Sequence, residues 1–165
     1  MSKRFKYKDN NYLDSTGIVH NKEILKNYLD NKNPKYAVAT IDYDVNISSS
    51  YKVPLNALYQ NGGFKQENNY IIIPKGVNLI SVSGSVFANA WPGGYGYLWG
   101  QIRKNDVLLN GSINTGPGSF LSASMPPILT DVKEGDRISL IADSPGGGIL
   151  RAGYANSWLY IQVIA

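Results

Sequence analysis

Val132-Lys133-Glu134-Gly135-Asp136-Arg137-Ile138-Ser139-Leu140-Ile141-Ala142-Asp143 reads as a tight turn feeding a strand. Glycine accepts backbone angles that other residues avoid, and aspartate bonds to nearby backbone, so Glu134-Gly135-Asp136 is turn chemistry. Beyond it the residues alternate. Ile138, Leu140 and Ala142 face one way and Arg137, Ser139 and Ile141 the other, which is the period of a β-strand. The same pattern extends in both directions. Towards the C-terminus, Leu159, Ile161 and Val163 alternate with Trp158, Tyr160, Gln162 and Ile164. Large apolar groups on both faces mark a strand that is central to the protein or part of a subunit interface. Towards the N-terminus, β-branched and aromatic runs occupy 36–43, 69–73, 78–88, 95–104 and 120–132. Turn clusters separate them: Asn61-Gly62-Gly63, Pro74-Lys75-Gly76, Pro92-Gly93-Gly94, Lys104-Asn105-Asp106, Gly116-Pro117-Gly118 and, after Asp143, Gly146-Gly147-Gly148. Short strands at this spacing predict an all-β sandwich or barrel over 36–165.

Residues 1–35 differ. They are polar, rich in Lys and Asn, and end near Asn33-Pro34. Within them Asn21 to about Asn31 predicts one short helix, with Asn21 as N-cap, Pro34 as stop, and Ile24, Leu25, Tyr28 and Leu29 on one face. A lone helix of that length is marginal in water and needs a surface to lie on, either its own domain or a partner. The net charge of +4 is concentrated at the tip of this segment, where Lys3, Arg4, Lys6 and Lys8 face no acid in the first eight residues. The remainder is balanced, so a basic nucleic-acid-binding face is not expected on the folded part. The absence of cysteine excludes a disulfide framework and any Cys-based zinc site. No apolar run reaches the ~18 residues of a membrane span, and the basic tip is not followed by the apolar stretch of a secretory signal.

The residues that carry chemistry are few. His20 is the single histidine and lies in the tail, so no Ser-His-Asp or Cys-His set is expected inside the domain. Neither a GxSxG elbow nor a phosphate-cradling GxxxxGK[ST] occurs. No catalytic residue, cofactor or metal is therefore expected. Asp42-Tyr43-Asp44-Val45-Asn46 would place three oxygen side chains on one strand face. A calcium site there lacks the Gly and distal Glu of a calcium loop, and a solvated outer strand accounts for it. Asp131, Glu134, Asp136 and Asp143 sit at or beside turns, where acids usually cap and solvate. Trp91-Pro92-Gly93-Gly94-Tyr95-Gly96-Tyr97 puts aromatics around a flexible loop. Trp91 and Tyr95 are candidate ligand-binding residues, since loop-tip aromatics give contact area at small entropy cost; the alternative is that they fold back on the core. Tyr97 and Trp99 are expected to pack in the core.

From about Ala37 the chain resembles the trimeric jelly-roll heads of the complement globular-head and tumour-necrosis-factor type, especially bacterial and phage members. Ser48–Leu55 resembles the stretch before the family's outer hairpin. Asn69–Val77 followed by Val82–Val86 is similar to its segment of strand, Pro, Gly and inward strand. Ile102–Asn105 resembles the hairpin tip, Val132–Leu140 the turn into an apolar strand, and Ser157–Ile164 the closing strand. The likeness covers about four-fifths of the chain and rests on the order and spacing of these pieces. Asn11–Asn21 resembles openings of phage virion appendage proteins.

These resemblances imply a jelly-roll head (36–165) on a virion-attachment segment (1–35). They imply a homotrimer with Trp158 and Tyr160 as candidate interface residues. Lys3, Arg4, Lys6, Lys8, Ile24, Leu25, Tyr28 and Leu29 are candidates for attachment to a virion shell or collar protein. The expectation is a phage head fibre or decoration knob on the virion surface, without enzymatic activity, touching the host surface and its glycans, with no nucleic acid and no membrane insertion. A tail receptor-binding tip, a small jelly-roll glycan hydrolase and a bacterial surface or coat protein are the rivals.

Overall fold

Alternating apolar residues in 36–165 bury one face of each strand, and two sheets closing on those faces give every strand the same interior. The computed structural model describes residues 5–6, 11–13, 19–21, 34–47, 49–90, 95–117, 120–153 and 156–165. The chain divides into two units, 1–34 and 35–165.

The first unit holds an antiparallel three-stranded sheet of β1 (Phe5–Lys6), β2 (Asn11–Leu13) and β3 (Val19–Asn21) in that order. Phe5 pairs with Leu13, and Tyr12 with His20. Lys6 lies in β1, while Lys3, Arg4 and Lys8 lie outside the described residues. Asn21 closes β3, and the rest of the expected helix, with Ile24, Leu25, Tyr28 and Leu29, also lies outside them.

The second unit is a two-layer antiparallel sandwich. One layer contains β4 (Tyr36–Thr40), β5 (Val45–Ile47), β7 (Ala57–Asn61), β10 (Leu79–Ala90), β13 (Phe120–Asp131), β15 (Gly148–Leu150) and β16 (Trp158–Val163). The long strand β10 is its spine. It pairs with β13 along one edge, and with β16 and then β15 along the other. The second layer contains β6 (Tyr51–Lys52), β8 (Lys65–Glu67), β9 (Tyr70–Ile72), β11 (Tyr95–Lys104), β12 (Val107–Pro117) and β14 (Arg137–Asp143). Among the described residues the fold is all-β, a jelly-roll sandwich.

The core follows the alternation read from the sequence. Ile138, Leu140 and Ala142 are fully buried with Leu98 and Ile102 of the same layer, and across the interior they face a layer that buries Leu159 and Ile161 with Ile80, Val82 and Val86. Met125 fills the space between strands whose glycines let them approach: a Cβ at Gly100 would stand 3.0 Å from its Sδ and Cε.

The sandwich has two poles. At the near pole Val163 N–H donates to the Lys35 carbonyl, Ala165 pairs with Leu79, and Val132 with Asn78. The strand from Leu79 to Ala90 then carries the chain to the far pole, where Ala90 meets Gly148 and Tyr95 meets Pro117.

Two turns lock the near pole. Asn105 and Asp106 both adopt left-handed angles (φ 50° and 67°), as a two-residue hairpin requires. Asp136, only 6% exposed, accepts hydrogen bonds from Lys133 N–H (3.1 Å) and Asn105 Nδ2 (2.9 Å), and Asn105 Oδ1 accepts from Arg137 N–H (2.9 Å). The aspartate after glycine thus ties the 133–136 turn to the hairpin. Burial would push its carboxyl up, but the bonds from Asn105 and Lys133 and the nearby ammonium groups of Lys104 and Lys133 hold it below the usual range.

Candidate functional site

Three surfaces of the 35–165 unit stand out. The first is the outward face of the seven-stranded layer. Registers place Ser83, Tyr160, Val38 and Tyr59 in one row across four strands, with Trp158 and Tyr36 in the flanking rows. Tyr59, Phe120 and Leu129 are 59%, 59% and 62% exposed, and the Phe120 ring stacks on Phe87 with centroids 5.8 Å apart. Trp158 and Tyr160 are half-buried and point away from the core that Leu159 and Ile161 enter. Across β4, β7, β10, β13 and β16 the only charged residue is Asp131. Serines are frequent among the other positions: Ser81 and Ser85 on β10, Ser122 and Ser124 on β13, beside Gln162 and Asn61. An aromatic-rich face depleted of charge has the composition of an interface centre.

The second surface is the far pole. Tyr95 opens β11 there, at the end of the sandwich opposite Lys35. Trp91 lies outside the described residues. The charged residues at this pole are Asp42, Asp44, Asp143 and Arg151, whereas Lys35, Lys65, Lys75, Lys104 and Lys133 gather towards the near pole. The 42–46 stretch is not a strand face with three free oxygens. Only its last two residues, Val45 and Asn46, enter β5, and the two aspartates sit in the preceding bend. Asp44 pairs with Arg151 and accepts the Ala152 N–H (2.9 Å), and Asp42 is bonded to Asn56. The Ala152 bond and the Arg151 guanidinium keep the Asp44 carboxyl low against a small burial cost.

The third surface is the outward face of the six-stranded layer. The expectation that Tyr97 and Trp99 pack in the core is corrected here. Leu98, Gly100 and Ile102 take the inward positions of β11, so Tyr97, Trp99, Gln101 and Arg103 point outward, and both aromatics are half-buried. At the near-pole end of this face Asp106 accepts the Tyr70 hydroxyl (2.7 Å) and pairs with Lys52 (3.4 Å) and Arg137 (3.3 Å). The two cations also stand over the Tyr70 ring, at 3.8 Å and 4.6 Å from its centroid. The Tyr70 hydroxyl, more than a small desolvation cost opposes, and then the two cations hold Asp106 below the usual carboxylate range. This network joins β6, β9, β14 and the β11–β12 hairpin. Among the described residues no group of three or more His, Asp or Glu is placed to hold a metal.

No protein-family model and no curated protein sequence matches the chain. Solved structures do. The Eiger tumour necrosis factor of S. frugiperda superposes with a TM-score of 0.61 at 11% identity, over 81% of this chain and 94% of that one. Murine APRIL at pH 5.0 gives 0.65 at 9% identity, over 80% and 100%. At pH 8.5 it gives 0.62 at 10%. The chain has the tumour-necrosis-factor fold. At such low identity the likeness is one of architecture.

Proposed function

We propose that the protein is a non-enzymatic display protein of a phage particle: a homotrimeric knob formed by 35–165 and fixed to the particle through 1–34. The observation that carries the trimer is the outward face of the seven-stranded layer. Five strands present Tyr36, Val38, Tyr59, Trp158 and Tyr160 with serines and, Asp131 apart, no charge. A monomer leaving that face in water would expose an apolar patch of the kind that marks association sites, and a closed ring of identical subunits covers it without leaving an open end. The phage assignment rests on the resemblance of the N-terminal segment, and the basic tip Lys3, Arg4, Lys6 and Lys8 suits attachment to an acidic shell or collar protein. Host contact falls to the far pole, which the direction of β10 puts opposite the point where the 1–34 segment joins. Many knobs per particle then supply avidity to individually weak contacts. The protein needs no cofactor in this role.

Light scattering at micromolar concentration tests the assembly: a trimer mass is expected, and a monomer mass overturns it. Tyr160→Lys places a charge at the middle of the face and is expected to give folded monomers. Imaging particles with a label on the knob tests location. Density on the head supports a fibre or decoration knob, density at the tail tip makes it a receptor-binding tip, and no density on any particle overturns the phage reading.

A further inference from the structure

We propose that the outward strip of β11 on the six-stranded layer, from Tyr97 to Arg103, binds an oligosaccharide chain. The inference rests on the display reading and gives its adhesion a ligand class and a place other than the far-pole loop.

Alternate residues of a strand lie about 7 Å apart on one face. Tyr97, Trp99 and Arg103 therefore line a strip roughly 20 Å long by the same spacing, with Gln101 buried between them. Trp99 is seated by a glycine. A Cβ at Gly111 on the neighbouring strand would stand 2.9 Å from the indole Nε1 and 3.7 Å from Cε2, so the indole occupies room that only a bare backbone leaves. Gln101 is 2% exposed, and its Oε1 accepts from Arg103 Nε (2.9 Å) and Nη2 (2.6 Å). Those two bonds fix the guanidinium plane while using two of its five N–H donors. Across the ladder from Trp99 stands Asp143, whose Oδ2 takes the Ser50 hydroxyl (3.4 Å) and whose Oδ1 is buried.

An aromatic platform beside an oriented guanidinium suits a pyranose. The apolar C–H face of the ring packs on the indole, and ring hydroxyls accept from the remaining N–H donors of Arg103. Arg103 is the strip's own only charge, so recognition there is by stacking and directed hydrogen bonds more than by net charge. A strip with its polar and aromatic groups in line fits an extended chain better than a single sugar.

The test uses the full chain labelled at the tryptophan indole nitrogens, with a panel of neutral and uronic-acid-containing oligosaccharides as probes. The expected result is a saturable shift of the Trp99 indole signal with at least one neutral oligosaccharide. Trp99→Ala should abolish binding and Trp99→Tyr should retain part of it. Gly111→Ala keeps every ligand-facing group and displaces the indole, and should weaken binding about tenfold, or 1.4 kcal/mol. If Trp99→Ala does not fold, Gly111→Ala carries the comparison. The proposal is overturned if no oligosaccharide moves the Trp99 signal, or if binding is unchanged in a folded Gly111→Ala protein. It is equally overturned if only acidic sugars bind and salt alone removes them. A trimer on particles that ignores every saccharide removes this site and leaves the display reading standing; a monomer that binds them does the reverse.

Discussion

Asp136 shows how one carboxylate can organise a turn region. Its two oxygens serve Lys133 N–H and Asn105 Nδ2, and Asn105 in turn serves Arg137. Asp136→Ala leaves a buried donor on each side without a partner and is expected to cost about 1–3 kcal/mol in urea unfolding at pH 7. The folded carboxyl titrates below the ordinary aspartate value near 4. Its contribution is thus complete above that value and is lost as pH falls through the lower, folded one. Asp44 and Asp106 are shifted the same way. Wild type should therefore lose stability as pH drops below the ordinary aspartate value, while Asp136→Asn should show a shallower loss there. Equal slopes for the two proteins would contradict this account.

Single strands decide how tightly the two layers approach. Gly100 sits on β11 where a side chain would meet Met125 Sδ and Cε at 3.0 Å and Val86 Cγ2 at 3.0 Å. Gly100→Ala is expected to destabilise the sandwich by about 1–3 kcal/mol through overpacking. In a Met125→Ala background, which removes the clashing atoms, the same change should cost much less, and thermal or urea unfolding of the four proteins reads the coupling. Additive costs would show that Met125 is not what Gly100 makes room for. At this scale the sequence was most legible. The turn at 134–136 and the inward sets Ile138/Leu140/Ala142 and Leu159/Ile161 needed only a period of two. Trp99 was misread for a reason of the same kind. Its neighbours Leu98 and Ile102 are apolar too, and an apolar run cannot say which parity faces inward until glycine at 100 is known to lie under Met125. The 42–46 stretch failed because Asp44 bonds to Arg151 and Ala152, partners more than a hundred residues away that no local pattern announces.

For the whole chain, polarity is the organising property. The 35–165 unit has its own core, made of residues from all parts of that unit. Removing 1–34 should accordingly leave the thermal midpoint of the remainder within a few degrees of the full chain, a shift on the order of 1 kcal/mol or less, and, on the proposed display function, should abolish incorporation into particles. The cut belongs before Lys35, whose carbonyl accepts Val163 N–H and whose side chain packs at Gly62. Unfolding of the shortened protein, or its normal incorporation, would refute the division of labour. The apolar outward face of β16 was legible as a two-sided apolar strand. The near and far poles were not, because they depend on which way β10 runs.

The junction at Lys35 also has a mechanical meaning. The chain enters β4 at the near pole, and β4 is held on both sides, by β16 from Tyr36 to Thr40 and by β7 over the same five residues. If the far pole grips a surface while the base is pulled away, tension enters along the axis of β4. Both ladders are then loaded in shear, so their hydrogen bonds resist together and do not open one after another like a zipper. Rupture under load is governed by the unfolding rate, and a strand clamped on two sides must break ten cross-strand registers at once before it slides. The same connectivity that sets the sheet order makes β4 the doubly clamped strand through which the sandwich would carry such a load.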